Sequence, residues 1–126
     1  MHRGKIFVVD DLEDFRQLLE DVLSEQGYEV LSFERAADAL AALQAEAPDL
    51  LITDIRLGNE NGLGLVRSIR ANAETRQLPV IICTAAILDL EEVEPIADPC
   101  LHVLPKPFEI ADLVRDVSDL LARGCK

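Results

Sequence analysis

Acidic, hydroxyl and amine side chains follow short apolar runs at four places in this sequence. Asp10 and Asp11 come after KIFVV, Asp54 follows LLIT, Thr84 ends PVIICT, and Lys106 follows LHVLP. Carboxylates that are brought close together repel one another and need a positive partner. Oxygen ligands suit Mg²⁺, which is usually held by one or two carboxylates and keeps several waters. The spacing therefore indicates a magnesium site with an amine nearby.

Other metal and phosphate sites are not supported by the sequence. Zinc prefers Cys and His, and neither His2 nor His102 has a Cys or His partner at ligand spacing. The stretch NGLGLVR lacks the third glycine of a dinucleotide-binding loop, and no GxxxxGK[ST] occurs. Gly62 is interpreted as a helix-start or turn glycine.

The residues that could do chemistry lie beside predicted strands. Short apolar runs rich in β-branched residues indicate five strands. They cover residues 5–10, 28–33, 50–54, 79–84 and 101–105.

Between these runs the apolar period changes to about 3.6, as an amphipathic helix requires. On the third predicted helix, Arg67 and Arg70 are expected to be exposed to solvent. Residues 87–95 form the weakest predicted helix, because their apolar positions are few and Pro95 ends the helix early. The four clear stripes are Leu12, Phe15, Leu18, Leu19, Val22 and Leu23; Ala36, Ala37, Leu40 and Leu43; Leu63, Val66 and Ile69; and Ile110, Leu113, Val114, Val117 and Leu120.

Alternating strands and helices predict a doubly wound α/β domain, a parallel sheet with helices on both faces. Ligands of such sheets bind outside the carboxyl ends of the strands. The same edge is where the acidic pair, Asp54, Thr84 and Lys106 are expected. We expect one domain over residues 1–126, with the last helix ending near Arg123 and no second module.

Composition narrows the class of protein. A chain of 126 residues, 49% of them apolar, can close one core. The absence of a long apolar run and of an export signal predicts a cytoplasmic protein with no membrane association. A net charge of −12 argues against nucleic-acid binding. Cys83, Cys100 and Cys125 form no CxxC pair, and their odd number favours a reducing compartment, with Cys83 as a core residue.

The motifs VVDD, LLITDIRLGNENG, IICTAA and LPKPF, in this order and spacing, resemble the receiver domain of two-component response regulators. The resemblance covers essentially the whole chain and implies a flavodoxin-like sheet with strand order 2-1-3-4-5. It implies that Asp54 accepts a phosphoryl group, and that Asp10, Asp11, Asp54 and the backbone carbonyl of Arg56 bind Mg²⁺. Thr84 would be the switch hydroxyl and Lys106 would contact the phosphoryl group, with a cis peptide before Pro107.

Two positions depart from the family's usual pattern. Val103 stands where an aromatic residue commonly couples to the switch hydroxyl, and valine has no ring to rotate. Gly58 stands where proline is frequent, which predicts a more mobile loop after Asp54. The acids of DLEEVEP lie beside the family's output face, either as a solvated helix or as a surface for a basic partner.

The leading hypothesis is a phosphorylation-controlled signalling switch without an output domain of its own, rather than a turnover enzyme. A sensor histidine kinase or a histidine phosphotransfer protein would supply the phosphoryl group. An unknown downstream protein would receive the signal from a monomer or a phosphorylation-dependent dimer. The alternatives are a phosphorylation-independent adaptor and a haloacid-dehalogenase-like phosphatase, although VVDDLED lacks the DxDx[TV] motif of the latter.

Overall fold

Strands and helices alternate along the chain in the computed structural model, which describes residues 3–84 and 100–123. The predicted helix at 87–95, its acids, His2 and Cys125 lie outside these residues. The strands are β1 (Lys5–Val9), β2 (Glu29–Phe33), β3 (Leu50–Thr53), β4 (Arg56–Leu57), β5 (Glu60–Asn61), β6 (Val80–Thr84) and β7 (Leu101–Pro105), and the helices are α1 (Glu13–Glu25), α2 (Ala36–Ala45), α3 (Gly62–Ala71) and α4 (Ile110–Arg123).

Five parallel strands form the main sheet in the order β2-β1-β3-β6-β7. Numbered along the chain without the small β4–β5 pair, this is the predicted order 2-1-3-4-5, which is confirmed. The register pairs Val9 with Thr53 and Thr84 with Pro105, so neighbouring strands end side by side. The antiparallel β4–β5 hairpin was not predicted.

Each face of the sheet has its own apolar core. Alternate residues of β1 serve opposite faces, with Phe7 and Val9 in one buried cluster and Ile6 and Val8 in the other. Residues of α2 and α3 complete the first cluster, and residues of α1 and α4 complete the second. The helices therefore cover both faces of the sheet, as a doubly wound domain requires.

The apolar stripe predicted for α1 is only partly buried. Leu19 and Leu23 are fully buried, whereas Leu18 is 42% exposed and Leu12 is 59% exposed. Leu12 precedes the first helical residue, and its N–H donates to a carboxylate oxygen of Asp10. Its position is therefore set by a turn and not by the helix. In α2 the same kind of correction applies, because Ala39 is buried where Ala37 was expected.

Arg70 does not lie in solvent as predicted. It is half-buried at the last turn of α3, and its Nη1 donates to the backbone carbonyl of Leu78 at 2.7 Å. The guanidinium thus joins the end of α3 to the segment that enters β6. Arg67 is exposed, as predicted.

The cysteines differ in state. Cys83 is a buried free thiol in β6, and burial raises its pKa to about 12, which suits the predicted core role. Cys100 is disulfide-bonded, which the prediction of reduced thiols did not anticipate.

None of the helices in the described part of the chain is long and apolar enough to span a membrane.

Candidate functional site

Three of the predicted side chains meet at the carboxyl edge of the sheet. The Lys106 ammonium nitrogen lies 3.1 Å from Oδ2 of Asp54 and 3.5 Å from Oδ2 of Asp10. Asp10 follows β1, Asp54 follows β3 and Lys106 follows β7, so three strand ends contribute one charged group each. Their predicted convergence is confirmed.

Asp10 is a buried carboxylate with several fixed contacts. Its side chain is 1% exposed, and its Oδ1 accepts the N–H of Leu12 at 2.9 Å. Its backbone carbonyl accepts a hydrogen bond from Nη1 of Arg16 at 2.7 Å. Burial raises the pKa of the Asp10 carboxyl above its ordinary value, although the Leu12 N–H and the Lys106 ammonium act in the opposite direction. Ionisation of Asp10 is therefore less favourable in the folded state than in the unfolded state.

Hydrogen bonds of its backbone and its side chain fix Asp54 at the end of β3. Its N–H donates to the carbonyl of Val9 at 3.2 Å, and its carbonyl accepts a hydrogen bond from the Thr53 hydroxyl at 2.9 Å. Its side-chain Oδ1 accepts the N–H of Arg56 at 3.2 Å. The side chain is 14% exposed, so it is fixed in direction and still reachable from solvent.

Lys106 supplies the positive charge of the site. Its backbone N–H donates to the backbone carbonyl of Thr84 at 2.9 Å. The peptide bond to Pro107 is cis, as the resemblance implied. Burial lowers the pKa of Lys106, but the carboxylates of Asp10 and Asp54 outweigh that effect and raise it above its ordinary value. Lys106 is therefore a firmly charged ammonium in this setting.

Asp11 is exposed and faces the loop after β3. It lines a cavity of about 250 Å³ together with Gly58, Asn59 and Glu60.

Within residues 3–84 and 100–123, no three Asp, Glu, His or Cys side chains form a group that could hold a metal ion. The two carboxylates that share Lys106 nevertheless suit a hard cation, which needs only one or two carboxylates and keeps its waters. The metal roles of Asp10, Asp11, Asp54 and the Arg56 carbonyl stay predictions.

The two predicted switch residues lie on neighbouring strands. Thr84 is 2% exposed at the end of β6 and is paired in register with Pro105. Val103 pairs with Ile82 and packs half-buried against the core on the α2–α3 face of the sheet. Position 103 therefore carries a half-buried aliphatic side chain in place of a ring, and the switch roles of Thr84 and Val103 stay predictions.

Glu60 was missed by the sequence analysis. Its two carboxylate oxygens accept the N–H groups of Ala36 and Ala37, at 2.7 and 3.2 Å. These N–H groups lie at the start of α2 and have no acceptor within the helix, and a negative charge is favourable at this end of a helix. The glutamate therefore fastens the hairpin that follows Asp54 to a neighbouring helix, and Gly58 makes the turn of that hairpin with a φ of 62°. The predicted mobility of this loop stays a prediction.

Phe15 was also missed as a site residue, because its position on the apolar stripe of α1 indicated only core packing. The Lys106 ammonium nitrogen lies over its ring, 4.2 Å from the centroid. The ring in turn makes an edge-to-face contact with Phe108, at 6.2 Å between centroids. An aromatic residue shortly after the acidic pair was the available signal.

Comparisons with known proteins agree with this geometry. The model of one family, described as response regulator receiver domain, matches residues 6–118. The DNA-binding transcriptional regulator NtrC of Proteus hauseri is 40% identical over 111 residues, which is 87% of this chain and 23% of that protein. The chain thus spans about a quarter of the length of its NtrC relatives.

Solved structures show the same fold. The signal receiver domain of a signal transduction histidine kinase from Syntrophus aciditrophicus has a TM-score of 0.84 at 28% identity, and the match covers 94% of this chain and 90% of that one. The response regulator TrrA of Thermotoga maritima, solved in complex with Mg²⁺ and BeF, has a TM-score of 0.80 at 28% identity. That match covers 95% of this chain and 99% of the other.

Proposed function

Because this chain belongs to the family of response regulator receiver domains, we propose that it is a signalling switch controlled by phosphorylation of Asp54. The donor is a phosphohistidine on a sensor histidine kinase or on a histidine phosphotransfer protein. The observation that carries the proposal is the ammonium of Lys106, which is shared between Asp54 and Asp10 at the carboxyl edge of the sheet.

A carboxylate in this setting can act as a nucleophile toward phosphorus. An oxygen of Asp54 forms a bond to the phosphorus atom while the bond between phosphorus and the donor imidazole nitrogen breaks. The nitrogen keeps the electron pair, and Asp54 becomes a mixed anhydride. Such a transfer depends mainly on positioning and charge neutralisation. Lys106 supplies one positive charge within hydrogen-bond distance of Asp54.

Mg²⁺ is the cofactor that we propose, held by Asp10, Asp11 and Asp54 with the Arg56 carbonyl. When bound, this ion neutralises charge on the carboxylates and on the phosphoryl oxygens. Support comes from the oxygen donor set and from TrrA, whose structure contains Mg²⁺ and BeF. Lys106 remains the charge partner that the chain itself provides.

The output follows from the added negative charge. A phosphoryl group on Asp54 attracts the Thr84 hydroxyl and the Lys106 ammonium. The backbones of these two residues are already joined by a hydrogen bond from the N–H of Lys106 to the carbonyl of Thr84. The displacement then passes along β6 and β7 past Val103, biasing a two-state surface toward a downstream protein. The chain acts as a switch and not as a turnover enzyme, and it works as a monomer or as a phosphorylation-dependent dimer.

Residues 1–126 are proposed to act as one receiver domain in the cytoplasm, where a kinase can reach it. Nucleic acid and membrane are not proposed as partners, because the net charge of −12 opposes anionic surfaces.

The test is intact-mass measurement after incubation with acetyl phosphate. We expect the wild-type protein to gain one phosphoryl group in the presence of Mg²⁺ and to stay unmodified with a chelator. Asp54→Asn, which keeps the shape of the side chain, should gain none. A gain that survives this substitution contradicts the proposal.

A further inference from the structure

Lys106 has contacts on two sides that differ in chemistry. On one side its ammonium meets the carboxylates of Asp54 and Asp10, at 3.1 and 3.5 Å. On the other side the ring of Phe15 lies 4.2 Å from the nitrogen. The lysine side chain is only 19% exposed, so little water competes with these contacts.

The ring face is an electrostatic partner for the ammonium. Its quadrupole attracts a cation within about 6 Å of the centroid, and the attraction grows when water is excluded. Unlike a third carboxylate, the ring adds no strong hydrogen-bond acceptor. The N–H donors of Lys106 therefore remain available to oxygens on the Asp54 side.

The ring is itself held in place. Phe15 lies on α1 and meets Phe108 edge to face, with the two ring planes at 81°. Both side chains pack against the apolar cluster between the sheet and helices α1 and α4. A lysine stem is flexible and its head is a compact point charge, so a fixed wall on one side limits where the ammonium can go.

From this geometry we propose that Phe15 is a positioning residue, whose ring face holds the Lys106 ammonium toward Asp54. The proposal rests on the proposed role of Asp54 as phosphoryl acceptor. In the resting protein the ring keeps the charge against the two carboxylates. During transfer it keeps the same charge where oxygens of the phosphoryl group arrive. A leucine would fill much of the space but would lack the negative face.

The position of the ring is tested without metal or phosphodonor. The chain has three lysines, so the ε-methylene signals of Lys106 can be assigned in a carbon–proton NMR spectrum by substituting Lys106. We expect these protons to be shifted upfield by the ring in the wild-type protein and in Phe15→Tyr. The shift should disappear in Phe15→Leu. An unshifted wild-type signal overturns the proposal.

The electrostatic role is tested by replacing Phe15 with phenylalanines of increasing ring fluorination, which keep the shape and weaken the negative face. The rate of phosphorylation by acetyl phosphate and Mg²⁺ should fall stepwise, by roughly 2- to 30-fold over the series. Phe15→Tyr should stay near the wild-type rate and Phe15→Leu should match the most fluorinated ring. Equal rates across the series overturn the proposal.

A matched control removes another aromatic ring on the opposite face of the sheet. Phe33 pairs edge to face with Phe7 at 5.1 Å and packs against the other core. Phe33→Leu should lower stability but leave the phosphorylation rate unchanged, and an equal slowing would mark the effect of Phe15 as general destabilisation. If the wild-type protein accepts no phosphoryl group, the function of Asp54 is refuted, and the NMR shift alone decides the contact.

Discussion

The backbone carbonyl group of Asp54 occupies the space where a side chain at Gly62 would begin. A Cβ at position 62 would lie 2.9 Å from the carbonyl carbon of Asp54 and closer still to its oxygen. Gly62 also donates its N–H to the carbonyl of Ile55 at 2.6 Å. The first residue of α3 thus packs directly against the proposed phosphoacceptor, and glycine is the residue that permits this approach.

Gly62→Ala is therefore expected to destabilise the protein by about 1–3 kcal/mol, because backbone atoms must move to admit a methyl group. Gly64→Ala, two residues along the same helix, has nothing within 4 Å of the added atom. It should stabilise the protein by about 0.5–1 kcal/mol, as expected for alanine inside a helix. Urea unfolding measures both, and similar effects of the two substitutions would contradict the packing argument.

Asp10→Asn is expected to stabilise the metal-free protein at neutral pH. Burial raises the folded-state pKa of Asp10 above its ordinary value of 3.8, so the ionised side chain is less favourable in the folded than in the unfolded state. Asparagine keeps the shape and removes the charge.

The pH dependence of this gain has a definite sign. Above the folded-state pKa, wild-type Asp10 is charged and the asparagine variant has its full advantage. As the pH falls through the folded-state pKa toward 3.8, the wild-type carboxyl becomes protonated and the advantage shrinks. Unfolding curves at pH 7 and pH 4 check this, and a stability difference that grows at acid pH would contradict it.

Glu60→Ala should cost about 0.5–2 kcal/mol, because two N–H groups at the start of α2 lose their acceptor. Glu60→Gln keeps one side-chain oxygen and should cost less. Hydrogen exchange at Ala36 and Ala37 gives a local measurement, with faster exchange expected in the alanine variant. Unchanged exchange there would mean that the glutamate does not fasten the hairpin to the helix.

Lys106→Met is expected to slow phosphorylation of Asp54 by about 10²-fold, as the loss of one positioned charge partner often does. Lys5 offers a matched control, since it also pairs with two carboxylates, those of Glu29 and Glu46, but at the opposite edge of the sheet. Lys5→Met should leave the rate with acetyl phosphate near that of the wild-type protein. Equal slowing by both substitutions would deny Lys106 a specific role.

The sheet and the meeting of charged groups could be predicted because both depend on simple periodicities. Runs such as PVIICT are apolar on both faces, which suits a central parallel strand, and parallel strands bring their carboxyl ends to one edge. Once β1, β3 and β7 are recognised, the proximity of Asp10, Asp54 and Lys106 follows.

Contacts that depend on a particular neighbour could not be predicted in this way. The β4–β5 hairpin has no alternating pattern. Its anchor is the Glu60 carboxylate, which accepts a hydrogen bond from the N–H of Ala36, 24 residues earlier in the chain. Periodicity placed Phe15 on an apolar face but did not show that a lysine lies over the ring. It also did not show that Leu12 and Leu18 stay exposed, because the width of a buried stripe depends on what packs against it.

The position of the phosphoryl group on the chain decides whether Asp54 is the acceptor. After incubation with acetyl phosphate and Mg²⁺, borohydride reduces an acyl phosphate to an alcohol and leaves a permanent mark at that residue, which peptide mass spectrometry can identify. The mark is predicted at Asp54 and nowhere else. A mark at Asp10 or Asp11, or the absence of any mark on the wild-type protein, would refute Asp54 as the phosphoryl acceptor.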